Sequence, residues 1–161
     1  YAPGLRWAIS AMPSRPMHHI RPAIDSDFPS LLACDPYARS HAERQAFLRE
    51  KTAAGAVLLA ERDGSVSGFV VLEPGFFGHG FISLIAVADA ARRSGVALAL
   101  LAAARQRCTT DKLFTSTNAS NLAAQALFAQ AGFVPSGRVD NLDPGDPELI
   151  FFKALGSTRA Q

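Results

Sequence analysis

Thiols are scarce in this chain. Cys34 and Cys108 are the only cysteines among 161 residues, which excludes a disulfide framework and fits a reducing, cytoplasmic setting. Both read as small buried hydrophobes. His18, His19, His41 and His79 share no ligand spacing with cysteines or carboxylates, so no metal site is expected. No apolar run is long enough for a membrane span, and the first residues make no convincing secretory signal. Charge of one sign is not in excess either: 16 basic against 14 acidic residues argue against a broad nucleic-acid footprint. No Gly-Lys-Ser or Gly-Lys-Thr follows a glycine-rich loop, and the three spaced glycines of dinucleotide sites are missing.

What is present suits one folded domain. Hydrophobic residues make up 48% and charged residues 19%, enough for a real core in a chain of this size. Residues 1–16 are expected to be an N-terminal extension, non-native or flexible, because Met17 directly precedes the first strand-like segment. Residues 17–161 then read as a single domain. His18–Ile24 suggests a strand, and Asp25, Ser26 or Asp27 offers an N-cap for a helix that Asp35-Pro36 stops. Ser40 and Glu43 suggest a capping box opening a second helix toward Ala53. Val57–Glu61 and Val66–Leu72 read as a hairpin turned by Arg62-Asp63-Gly64-Ser65. Pro74 to Gly80 makes the next turn into a strand ending at Val87. Another strand covers Lys112–Thr117, and Asn118 or Ser120 caps a helix that ends at Gly132. Phe133–Asp140 and Leu149–Leu155 form a closing pair around a polar, proline-rich loop.

The informative stretch is Ile82–Arg107. A β-branched and leucine-rich run empties through Arg92-Arg93-Ser94-Gly95-Val96-Ala97 into apolar residues at helical spacing. Gly95 permits close approach of the backbone to a bulky group, and the first-turn NH groups of the helix have no intrahelical partner. With Arg92 and Arg93 this is an anion site. The competing reading is a Ser94 N-cap with Gly95 as a breaker and two solvated arginines.

The order Arg92, two residues, Gly95, one residue, Ala97 resembles the acyl-CoA pyrophosphate motif of the GNAT superfamily of N-acetyltransferases. A second segment is similar to the same family: Asn121, Ala124, Leu127, Gly132 and Phe133. The resemblance implies an α/β (α+β) fold: a mixed, mostly antiparallel central sheet of about seven strands, helices on both faces, and splayed fourth and fifth strands. It implies acetyl-CoA as cofactor, with Ile85, Ala86, Val87, Arg92, Arg93, Ser94, Gly95, Val96, Ala97, Asn121, Ala124 and Phe128 around it.

Two positions depart from the family pattern. Phe128 stands where a tyrosine commonly protonates the departing thiolate, and Ser83 where many relatives carry glutamate. A general acid contributes roughly 100- to 10,000-fold, so catalysis can survive its loss. Glu73, His79 and Glu148 are the candidate bases for the amine, with Ser83 on the fourth strand beside them. The expected activity is acetyl transfer to a primary amine by direct attack. The alternative is a catalytically weak acyl-CoA-binding regulatory module. The acceptor is a small-molecule or peptide amine, a homodimer is allowed for, and neither nucleic acid nor membrane is expected as a partner. Clustered acids between Asp140 and Glu148 are read either as turn formers or as an attractor for a cationic acceptor.

Overall fold

The computed structural model describes residues 17–156; the extension expected over residues 1–16 lies outside them. In chain order the elements are β1 (His19–Pro22), α1 (Phe28–Cys34), α2 (Ala42–Ala53), β2 (Val57–Arg62), β3 (Ser65–Phe76), β4 (His79–Val87), α3 (Val96–Arg107), β5 (Lys112–Asn118), α4 (Leu122–Gln130), β6 (Val134–Val139) and β7 (Glu148–Ala154). The strands make one seven-stranded sheet in the order β1-β2-β3-β4-β5-β7-β6. Every neighbouring pair is antiparallel except β4 and β5. A parallel step cannot be closed by a tight turn, and α3 supplies the crossover.

Local chemistry explains the hairpins. Asp63 and Gly64 both have positive φ, 51° and 75°, the geometry of a two-residue turn whose twist matches the strands. Phe77 and Gly78 repeat it at 48° and 80°. The turn expected over Pro74–Gly80 is therefore only two residues long. Strand β3 continues to Phe76, and Pro74 and Gly75 are absorbed in an irregularity between the Glu73↔Phe81 and Phe76↔His79 pairs. A bulge tolerates proline because no ladder NH is needed there.

Side-chain alternation along the strands splits the core in two. Leu58, Ala60, Val70, Ile82 and Leu113 join Val96, Leu100, Leu101 and Ala104 of α3 and Phe128 of α4. Val57, Leu59, Phe69 and Val71 face the other way, onto Leu31 and Cys34 of α1 and Leu48 of α2. Burying each large side chain stabilises the fold by roughly 1.5–3 kcal/mol. Gly68 is small for a reason: a Cβ there would lie 2.7 Å from the carbonyl oxygen of Ala86.

Several expected caps are replaced. Asp25–Asp27 forms a short 3-10 turn before α1, and no aspartate side chain caps the helix. Asp27 instead accepts from the Ile24 NH at 2.8 Å and binds Arg21 through both oxygens, while Arg21 also reaches Glu61. The Ser40–Glu43 capping box does not form, because His41 is the N-cap residue of α2. Glu43 accepts from the Tyr37 hydroxyl and Ser40 contacts the His41 ring. At α4 the cap is Asn121, whose Oδ1 accepts from the Ala124 NH at 3.0 Å, rather than Asn118 or Ser120. Cys34 is buried as expected, but Cys108 is only half-buried and contacts Thr110.

Candidate active site

Strands β4 and β5 pair through only three residues each, Gly80↔Leu113, Phe81↔Phe114 and Ile82↔Thr115. Beyond that point β5 continues against β7 to Asn118↔Glu148, whereas Ser83–Val87 of β4 has no β5 partner. The junction is closed by the Thr115 hydroxyl, which donates to the Ile82 carbonyl at 3.0 Å. A second distortion coincides with it. Leu84 pairs with Val71 and Ile82 with Leu72, so Ser83 is an extra residue in β4. Ile82, Ile85 and Val87 consequently all join the α3 side. The result is a wedge whose β4 wall has unpaired backbone.

A groove of about 1010 Å³ opens from this wedge. Its lining includes Ile85, Ala86, Val87, Arg92, Arg93, Ser94, Gly95, Val96, Ala97, Asn121 and Ala124, so eleven of the twelve residues assigned to the cofactor from sequence come together. Gly95, not Ser94, is the N-cap of α3, with φ 82°. The Ser94 hydroxyl donates instead to the Ala91 carbonyl. A Cβ on Gly95 would meet nothing within 4 Å, so the space beside it is open. Arg92 pairs with Asp89 at 3.0 Å on the surface, and Arg93 itself takes a left-handed φ of 59°. Phe128 does not line the groove. It is 2% exposed and packs against Phe133 and Phe151 in the core.

The titratable candidates are spread out. Glu73 lies on β3 opposite Phe81, on the α1/α2 side of the sheet, and binds Lys51 of α2 at 2.7 Å. Burial pushes its carboxyl up, but the ion pair with Lys51 outweighs that and holds it below the usual range. The Ser83 oxygen is buried and satisfies no hydrogen-bond geometry. His79 stands four residues, about 13 Å of strand, before Ser83. Its Nδ1 is 3.6 Å from Asp111, and it shares a smaller cavity of about 180 Å³ with Glu73 and Cys108. Glu148 opens β7 opposite Asn118. Among the acids preceding it, Asp146 accepts from both the NH and the hydroxyl of Ser120, and Asp143 accepts from Asn118. Those two carboxylates pin the β5–α4 turn, which favours the turn-former reading for them.

Sequence reasoning missed Thr115, Lys51, and the Cys34-Asp35-Pro36 rim of the groove. Thr115 had a signal, a polar residue at a core-facing strand position. Lys51 had none, since only the packing of α2 on β3 brings it to Glu73.

Comparison with known proteins agrees with this geometry. The profile of the Acetyltransferase (GNAT) family matches residues 18–133. A GNAT-family acetyltransferase from Bacillus cereus ATCC 10987 superposes with a TM-score of 0.80 at 36% identity, over 86% of this chain and 97% of that one. The ribosomal-protein-alanine N-acetyltransferase of Brucella melitensis gives 0.67 at 27% identity, over 85% and 99%. A Salmonella typhimurium acetyltransferase solved with its cofactor acetyl-CoA gives 0.67 at 17% identity, over 89% and 96%, a likeness of fold. No curated protein matches the chain. A family profile spanning most of the chain, together with a sheet that parts between β4 and β5, shows that this protein belongs to the GNAT acetyltransferase family.

Proposed function

We propose that this chain transfers an acetyl group from acetyl-CoA to a primary amine by direct attack, without a covalent enzyme intermediate. The observation that carries the reading is the wedge beyond Ile82 and Thr115, opening onto a groove that also holds the N-terminus of α3. Acetyl-CoA supplies an acyl thioester. First-turn NH groups of α3, with Arg92 and Arg93, would hold its pyrophosphate, since unpaired NH groups and the helix dipole favour an anion there. Ile85, Ala86 and Val87 would flank the pantetheine arm, with Asn121 and Ala124 on the far wall. Unpaired NH groups of β4 would stabilise the charge that develops on the carbonyl oxygen.

The amine nitrogen attacks the acyl carbon, the C–N bond forms, and the C–S bond breaks. Thiol pKa values near about 8.5 let the thiolate leave and take its proton from water. Deprotonating the amine is more demanding, because with a pKa near about 10.4 roughly one molecule in a few thousand is neutral at pH 7. Glu73 is the best placed of the candidate bases, beside Ser83 where the strands part. Ionised and already paired with Lys51, it would act only as a relay that passes the amine's proton to water. Glu148, at the mouth of the wedge, would orient the acceptor. His79 lies further from the wedge and is assigned no step.

The test pairs calorimetry of acetyl-CoA binding with coenzyme A release in the presence of a panel of amines. Binding together with amine-dependent release is expected. Position 128 carries a core-packed phenylalanine and so offers the departing thiolate no tyrosine hydroxyl, which favours one alternative, a catalytically weak acyl-CoA-binding module. Binding with no amine-dependent release would establish that alternative.

A further inference from the structure

One sheet face beside the wedge carries a continuous strip of phenylalanine. Phe76 stacks on Phe81 with centroids 4.7 Å apart and planes 16° apart, Phe114 lies 5.0 Å from Phe76, and Phe152 lies 5.4 Å from Phe114. The register makes this one face. Phe81 is opposite Phe114, Phe114 is opposite Phe152, and their neighbours Ile82, Leu113 and Phe151 point into the α3 core. The four rings are half-buried, and none belongs to either core cluster. Such a strip is not needed to hold the helices.

Its position relates it to the acceptor. The Phe81↔Phe114 pair immediately precedes the last β4–β5 pair, and Ser83 follows Phe81 by two residues, about 7 Å along the strand. Carboxylates border the strip at both sides: Glu73 opposite Phe81, and Glu148 on the same face of β7 as Phe152, four residues away. Lys51 already matches the charge of Glu73, whereas Glu148 makes no ion pair among the described residues. An ammonium is complementary to this border and to the negative faces of the rings. At Phe114, beneath the strip, β5 is paired on both edges, so a peptide laid over the rings would meet unpaired backbone only beyond Thr115. Apolar ring contact is what the surface offers.

Resting on the acetyltransferase reading, we infer that the acceptor is a small arylalkylamine: a primary amine on a short chain whose aromatic ring packs on Phe76, Phe81, Phe114 and Phe152. The amine end lies toward Ser83 and Glu73, where the acetyl thioester would be attacked. The chemistry is the transfer already described, with the amine nitrogen acetylated and the thiol of coenzyme A released.

The test measures kcat/KM for 2-phenylethylamine, n-butylamine, spermidine and a peptide with N-terminal phenylalanine, alongside acetyl-CoA binding. Burying a ring in place of a short chain is expected to favour 2-phenylethylamine about tenfold over n-butylamine. Phe114→Leu, which keeps apolar bulk, and Phe152→Ala are each expected to shrink that preference severalfold through KM, with acetyl-CoA affinity held. Equal use of the two small amines, preference for spermidine or the peptide, or an undiminished preference in both folded variants would overturn the inference while leaving the acetyltransferase intact. Acetyl-CoA binding without acetylation of any of the four would overturn the activity, and this inference with it.

Discussion

The Thr115 hydroxyl donates to the Ile82 carbonyl at 3.0 Å, at the point where β4 and β5 stop pairing. Thr115 is 1% exposed, so Thr115→Val would leave that carbonyl without a partner in a dry site. A loss of about 1–3 kcal/mol is expected. Denaturant unfolding checks it, and wild-type stability would mean that water replaces the hydroxyl.

Gly95→Glu is expected to abolish acetyl-CoA binding while the domain folds. The new side chain enters the open space beside the α3 N-terminus, where its bulk and charge both oppose a phosphate. Some strain is expected as well, because φ is 82°. Arg92→Ala should weaken binding less, since that guanidinium is 69% exposed and already paired with Asp89. Calorimetry showing wild-type affinity in folded Gly95→Glu would remove the groove from consideration as the cofactor site.

Phe128→Tyr tests whether the missing acid can be restored. From sequence alone the hydroxyl would sit near the thioester sulfur and speed turnover. The core position of the ring changes the expectation: a hydroxyl buried against Phe133 and Phe151 costs about 1–3 kcal/mol unless it finds a partner, and turnover stays at the wild-type level. A clear rise in kcat would show that the hydroxyl reaches the groove after all.

How far each of these sites was legible depended on how local its cause is. Gly95, Gly64 and Gly132 were readable because positive φ is a property of one residue. The helix caps were less so. The two caps expected for α4, Asn118 and Ser120, stand just before Asn121, which takes the position, and residues 25 to 26 positions later draw both away: Asp143 engages Asn118 and Asp146 engages Ser120. Likewise Ser40 and Glu43 had the right spacing for a box but found partners in His41 and Tyr37. The Lys51–Glu73 pair and the burial of Phe128 arise only when helices dock on the sheet.

The acidic loop is expected to divide into two roles. Glu148→Gln is expected to raise KM for a cationic acceptor, more at low salt than at high, with acetyl-CoA affinity unchanged. Asp146→Asn is expected to act through stability, because its oxygens hold Ser120. Kinetics at two ionic strengths separates them. A salt-dependent KM effect in Asp146→Asn with no loss of stability would return that residue to the acceptor.

Acid should weaken the β1 corner. Arg21 binds Asp27 at 2.8 Å and Glu61 at 2.6 Å, and its guanidinium holds the Asp27 carboxyl below its ordinary 3.8. A carboxyl depressed in the folded state contributes stability above its unfolded pKa, and that contribution is lost as pH falls through the folded value. Asp27→Asn is therefore expected to cost about 1.5–3 kcal/mol at pH 7. The two proteins should converge in stability below the ordinary aspartate range. Parallel unfolding curves from pH 7 to pH 2 would contradict the pairing.

The short β4–β5 ladder also bears on how the molecule holds together. To one side lie four strands joined largely by tight hairpins, to the other an antiparallel trio, and three residue pairs are all the sheet offers across that seam. Opening there breaks fewer backbone bonds than opening elsewhere, so amides flanking the seam should exchange with solvent by sub-global motion before those of the β2–β3 hairpin. A ligand wedged between the two halves acts as their missing rungs. At a hundred times its dissociation constant it adds about 2.7 kcal/mol to the folded state, and melting temperature becomes a direct reporter of whether anything has filled the gap.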